Sequence, residues 1–130
     1  MSELFVTQWA FAFLFTQCVE MAVYTRVLDP RRPLRERLAI AFGASAITHP
    51  LVWFVIPPAI YGIHDALGGD VDRIQLYWVA IAVAELFAFT AEALWLRAFG
   101  LRIALAVLAS LLANGASFVL GLFGYELLGW

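Results

Sequence analysis

Four long apolar segments dominate the sequence, at about residues 4–27, 38–63, 76–99 and 103–128. A helix needs about 20 mostly apolar residues to cross roughly 30 Å of hydrocarbon, and each segment is long enough. The chain is 64% apolar and 14% charged, whereas soluble domains average about 45–50% apolar and about 25% charged residues. The sequence therefore predicts an all-α integral membrane protein with one membrane domain over residues 1–130. This composition argues against a soluble domain and a disordered chain. A disulfide scaffold is also excluded, because Cys18 is the only cysteine.

The connections between these segments are short. Residues 29–33 contain two prolines, residues 64–73 contain Gly68 and Gly69, and the third connection turns at Gly100. Short connections make consecutive helices antiparallel neighbours. We therefore expect an antiparallel four-transmembrane-helix bundle.

Basic residues are distributed unevenly among the connections. Seven of the eight, all of them Arg, flank the first and third connections, and only Arg73 flanks the second. Short loops rich in Arg stay in the cytoplasm, so both termini should lie outside it. The use of Arg without Lys is typical of a GC-rich bacterial genome. The predicted location is therefore the inner (plasma) membrane of a bacterium.

The two halves of the chain share a polar pattern. Glu20 in the first segment corresponds to Glu92 in the third. In the second and fourth segments, Ala44-Ser45-x-x-Thr48 corresponds to Ala113-Asn114-x-x-Ser117. This pattern suggests two duplicated helical hairpins related by a pseudo-two-fold axis along the membrane normal. The alternative is that apolar helices resemble one another by composition.

Several polar residues fall inside the apolar segments, where a carboxylate costs about 2.5–3.5 kcal/mol at the bilayer centre. They should therefore face one another or a wet cavity. We predict a polar core that binds an ion or carries protons, formed by Glu85, Glu92, Glu20, His49, Asn114 and Gln17.

Individual members of this set have competing interpretations. Glu20 and Glu92 could be structural, each paired with Arg26 or Arg97 of a neighbouring helix. Glu85, two turns further out than Glu92, has no Arg at its depth and is the best functional candidate. His49 is either a hydrogen-bonded core residue or a proton carrier or ligand. Because Pro50 follows His49, we expect a kink there, and the Pro57-Pro58 pair should end or bend the same helix.

Three functions fit these residues. The first is ion- or proton-coupled transport or conduction by a homo-oligomer, because four helices enclose little volume. The second is an accessory or structural subunit of a larger membrane complex, in which the polar core only fixes helix register. The third is a membrane-embedded metal or cofactor site, in which Glu20, His49, Glu85 and Glu92 would bind Fe, Mn or Zn.

Beyond such a metal ion, the sequence predicts no cofactor. A His-Glu-x-x-His motif, a Gly-rich phosphate loop and a Glu-x-x-His pair are all missing from it. No catalytic residues are assigned, so an enzyme is the less favoured class. The predicted partners are the lipid bilayer and other membrane chains, and the small net charge of −2 argues against nucleic acid.

Overall fold

The computed structural model describes the backbone of residues 3–128 and the side chains of residues 3–124. That part of the chain is helical and contains no strand. The helices are α1 (Glu3–Val27), α2 (Leu34–Phe54), α3 (Ile56–Ala66), α4 (Arg73–Ala98) and α5 (Ile103–Leu128). Four segments are long and apolar enough to cross a membrane, and α2 and α3 together form one of them, Leu34–Ala66.

The second apolar segment is divided at Val55, close to the Pro57-Pro58 pair that was expected to end or bend it, whereas the kink expected at Pro50 stays a prediction. Helix α2 continues through Pro50 to Phe54, and α3 begins at Ile56. Pro57 and Pro58 explain the position of the break, because neither has an N–H group for a carbonyl one turn earlier. Both lie in the first turn of α3, where a missing N–H costs little.

Glycines with positive φ end two of the helices. Gly100 (φ 98°) follows α4, and its N–H donates to the Arg97 carbonyl (3.0 Å). The N–H of Leu101 donates to the Leu96 carbonyl (3.2 Å). This pair of bonds is a Schellman motif, and it requires the left-handed backbone that glycine adopts most easily. The motif reverses the chain within four residues, so α5 starts beside the end of α4.

The four long helices contact one another in a closed cycle. Helix α1 packs against α2 and α5, and α4 packs against the same two helices. Within the described residues, the backbones of α1 and α4 do not come close to each other, and neither do those of α2 and α5; α1 and α4 meet only through side chains, where Tyr24 bonds to Glu92. Exchanging α1 with α4 and α2 with α5 therefore leaves the set of contacts unchanged. Helix α3 lies outside this cycle and packs on α4 and α2.

An apolar core fills the space between the helices at the end that carries the first and third connections. Small buried residues of α2 and α5 leave room there for Tyr24, Leu28 and Leu96, which are almost completely buried. Arg32 of the first connection donates from Nη2 to the Phe99 carbonyl at the end of α4 (3.1 Å). The two Arg-rich connections therefore lie at the same end of the molecule.

Candidate functional site

Glu20 lies at the centre of the helices and is only 1% exposed. Its carboxylate accepts hydrogen bonds from the hydroxyl of Ser45 on α2 and from the hydroxyl of Ser117 on α5, the latter at 3.0 Å. Both donors are themselves buried. Glu20 is thus held by the two helices that neighbour α1.

Glu92 occupies the matching place on α4 and is also 1% exposed. The hydroxyl of Thr48 donates to its Oε1 (2.6 Å), and the amide of Asn114 donates to its Oε2 (2.8 Å). The phenol of Tyr24 is a third donor. Glu92 therefore connects α4 to all three other long helices.

The donors follow one rule in both halves of the molecule. Each Glu accepts a bond from the first polar residue of the motif in its own hairpin: Ser45 for Glu20 and Asn114 for Glu92. Each also accepts a bond from the last polar residue of the motif in the other hairpin, Ser117 or Thr48. The five buried positions of these motif regions coincide as well, namely 40, 41, 44, 45 and 48 in α2 and 109, 110, 113, 114 and 117 in α5.

A cavity of about 730 Å³ opens on the other side of these carboxylates from the apolar core, and α1, α2, α4 and α5 all contribute to its wall. Glu20 and Glu92 line its inner end, whereas Thr7, Trp53 and Tyr77 line the part nearest the helix termini. Among the described residues, the charged ones in its wall are all acidic, and none is an Arg. The cavity thus favours a cation over an anion.

Glu85 is a third carboxylate in this cavity and differs from the other two in its surroundings. It is partly exposed, and no hydrogen-bond or ion-pair partner for it is found among the described side chains. Glu85 also lines a second, mainly apolar groove between α4 and α5, together with Asn114 and Phe118. Both Asn114 and Phe118 line the main cavity too.

His49 lines the same cavity but lies within a group of aromatic rings. Its ring stacks on Trp53 with the centroids 6.0 Å apart, meets Phe13 edge-on at 5.3 Å, and contacts Trp9 at 6.3 Å. The side chain is 7% exposed, and its Nδ1 atom is buried without a hydrogen-bond partner. A buried polar atom left without a partner is costly in a membrane, so it marks a place where a ligand or water would gain a hydrogen bond.

The structure brings most, but not all, of the predicted polar residues together. Glu20, Glu92 and Asn114 meet through hydrogen bonds, while Glu85 and His49 share the cavity with them. Gln17 is buried outside this network, where its Nε2 donates to the Phe42 carbonyl (3.4 Å) and its Oε1 has no partner.

The interpretation in which the two inner carboxylates pair with arginines finds no support among the described residues. Arg26 donates to the carbonyl of Ala22 on its own helix, and no ion pair joins an Arg to Glu20 or Glu92. Each Arg lies one and a half turns beyond the carboxylate, at the helix end, where its side chain reaches water more easily.

Tyr24 is a site residue that the sequence did not single out. Its position four residues after Glu20 puts it on the same face of α1, and that spacing is the signal that identifies it. Ser45, Thr48 and Ser117 were recognised as polar positions of the motif, but not as the donors to the carboxylates.

No three His, Cys, Asp or Glu side chains in the described part of the chain are grouped so that they could hold a metal ion. The metal-site interpretation therefore stays a prediction that no described cluster supports. Comparisons with protein-family models, with curated proteins and with solved structures found no match.

Proposed function

We propose that this chain spans the inner membrane of a bacterium as an antiparallel bundle of four helical segments, formed by two related hairpins. The length and hydropathy of the four segments support insertion into a lipid bilayer. The start of α1 lies beside the end of α2, where Phe5 packs on Phe54. The start of α2 lies beside the end of α1, where Arg37 donates to the Thr25 carbonyl. This order is the one expected of antiparallel helices.

The proposed orientation puts the Arg-rich end in the cytoplasm. The bond between Arg32 and the Phe99 carbonyl supports it, because that bond brings the first and third connections together. Both termini and the mouth of the cavity then face the outside of the cell.

The function that this geometry supports best is ion- or proton-coupled transport or conduction. The observation that carries it is the position of Glu20, Glu92 and Glu85 in one cavity whose wall comes from all four long helices and contains no Arg. Ionisable residues that face a cavity inside a membrane are the usual components of proton relays and coupling sites.

A single copy gives access to these carboxylates from one end only. The apolar core around Tyr24 and Leu96 fills the space between Glu92 and the Arg-rich end. Passage to the cytoplasm therefore requires that this core opens, or that a second chain completes the path. We propose a homo-oligomer, with assembly into a larger membrane complex as the alternative.

Proton flux into liposomes tests this function. We expect the purified wild-type protein to acidify the lumen under an imposed potential, and we expect Glu85→Gln to lower the rate by about tenfold or more, because Gln cannot carry the proton. Glu36→Gln is the matched control, since Glu36 is exposed at the Arg-rich end, where it pairs with Arg32.

Circular dichroism and gel filtration must show that both variants remain folded and keep the wild-type size. Wild-type flux in Glu85→Gln would contradict the proposal. So would a wild-type rate equal to that of empty liposomes, a result that would favour an accessory subunit whose buried carboxylates only fix helix register.

A further inference from the structure

We propose that the cavity binds a lipophilic organic cation whose charged group pairs with Glu85. This inference rests on the proposed function, because it names the ligand class of the same cavity. Size, wall chemistry, charge and access each point to such a ligand.

The size of the cavity points to an organic molecule. A proton or a bare metal ion needs no space beyond its ligands, whereas sites for small molecules measure about 300–1,000 Å³ and are lined mainly by apolar and aromatic side chains. The cavity measures about 730 Å³, and its wall includes the aromatic rings of Phe11, Phe15, Trp53, Tyr77 and Phe118. Aromatic faces attract cations as well as apolar groups.

The charge of the lining selects a positive ligand. The carboxylates of Glu20, Glu85 and Glu92 line the cavity, and the described hydrogen bonds to them come only from neutral hydroxyl and amide groups. Glu85 has no such donor among the described side chains, although it is partly buried between apolar residues. A cation beside Glu85 would supply the missing partner, and a charge-assisted contact in this apolar setting is stronger than one in water.

Access points to a ligand that dissolves in lipid. The groove between α4 and α5 shares Glu85, Asn114 and Phe118 with the cavity. It has an almost entirely apolar wall, with Trp78, Leu86 and Leu111 among its residues. A cation with apolar substituents would partition into the bilayer and reach Glu85 sideways through this groove.

Binding of tetraphenylphosphonium to the purified full-length protein in detergent micelles tests the inference, with empty micelles as the blank. Tetraphenylborate has the same shape and the opposite charge. We expect saturable binding of the phosphonium and no competition by the borate. Glu85→Gln should weaken binding by about tenfold or more, the effect expected when a buried charge loses its partner.

A second variant tests the cavity by volume rather than by charge. Gly121 lies in the cavity wall, and an added Cβ there meets nothing within 4 Å. Gly121→Phe should weaken phosphonium binding by about tenfold or more through lost space, provided that circular dichroism and gel filtration show the wild-type fold and size. Gly62→Phe is the matched control, because Gly62 has equally open surroundings but does not line the cavity.

The outcomes separate this inference from the transport proposal. Equal phosphonium binding by wild type, Glu85→Gln and Gly121→Phe would overturn the inference. The absence of saturable binding in a preparation with intact, Glu85-dependent proton flux would also overturn it and leave the transport proposal standing. Saturable, Glu85-dependent binding in a preparation without flux would support the ligand class and contradict transport.

Discussion

The hairpin of α1 and α2 and the hairpin of α4 and α5 place a carboxylate at equivalent positions but surround it differently. Glu20 and Glu92 each accept one bond from their own hairpin and one from the other. On the side of the apolar core, the residue four positions later is Tyr24 in one hairpin and Leu96 in the other. Only Tyr24 carries a donor, and it donates to Glu92. One substitution thus gives Glu92 a third partner.

The hairpins differ again at or beside the cavity wall, where Glu85, His49 and Phe118 line the cavity and Phe13 packs on His49. Seven residues before the carboxylate, α1 has Phe13 and α4 has Glu85; one residue after the shared motif, α2 has His49 and α5 has Phe118. In the first hairpin, the first helix carries a phenylalanine and the second an ionisable residue. In the second hairpin, this order is reversed. The hydrogen-bonding positions that join the helices are alike apart from Tyr24 and Leu96, whereas these four positions differ. We therefore expect the shared positions to hold the framework and the differing residues that line the cavity, Glu85, His49 and Phe118, to affect what it binds.

The largest expected effect is on the free energy of unfolding, which should depend more on Glu92 than on Glu20. Interhelical hydrogen bonds in membrane proteins average about 0.6 kcal/mol, so loss of the three bonds to Glu92 should cost about 2 kcal/mol and loss of the two to Glu20 about 1 kcal/mol. We therefore expect Glu92→Met to lower the free energy of unfolding more than Glu20→Met does. Unfolding by SDS in mixed micelles measures both values.

Tyr24→Phe sharpens this test, because it removes the bond that only Glu92 receives. In that background, the costs of Glu92→Met and Glu20→Met should become nearly equal. Equal costs in the wild-type background would contradict the account of Tyr24 as the source of the difference.

A smaller effect is expected where only one hairpin has a close aromatic contact. A Cβ added to Gly43 of α2 would lie 2.7 Å from Cζ2 of Trp95. A shift of the Trp95 ring has a cost, because it strains the hydrogen bond that Nε1 donates to the Ile40 carbonyl (2.9 Å). Overpacking costs about 1–3 kcal/mol, and we expect Gly43→Ala to cost about 1 kcal/mol, since the ring is only partly buried and can shift.

Gly115→Ala on α5 is the control for this prediction, because an added Cβ there meets nothing within 4 Å. It should leave the free energy of unfolding unchanged or raise it slightly, as expected when alanine replaces glycine in a helix. Equal destabilisation by the two alanine substitutions would show that the Trp95 contact is not the cause. The same unfolding measurement compares them, and indole fluorescence reports movement of Trp95.

Hydropathy was sufficient to predict the four long segments, and spacing was sufficient to pair Ser45 with Asn114 and Thr48 with Ser117 as polar positions, while the duplication of the hairpins stays a prediction. These features are local, because they depend on segment length and helical period. The exchange of donors between hairpins was not predictable in this way. It depends on which helices pack against each other, and no single segment of the sequence specifies that α5 packs against α1.

Two other features have local causes. The Pro57-Pro58 pair was expected to end or bend the second segment and does so, because it removes two consecutive donors and the segment is divided at Val55, whereas α2 remains helical through the single Pro50. Gln17 shares a helix face with Glu20, yet its amide bonds to the Phe42 carbonyl because a long side chain can reach a neighbouring backbone. Helical spacing identifies the face of a residue but not its partner.

The smallest expected effect on stability comes from making α2 resemble α5 at the cavity. His49→Phe introduces the residue found at the equivalent position 118. Because Nδ1 of His49 has no hydrogen-bond partner and its ring already packs on Phe13 and Trp53, we expect the free energy of unfolding to stay within about 0.5 kcal/mol of wild type. Thr48→Val is the contrasting variant, since it removes a donor to Glu92 and should destabilise by about 0.6 kcal/mol or more. A loss of about 2 kcal/mol in His49→Phe, measured by the same SDS unfolding, would mean that His49 belongs to the shared framework, and the division between framework and cavity positions would fail at that residue.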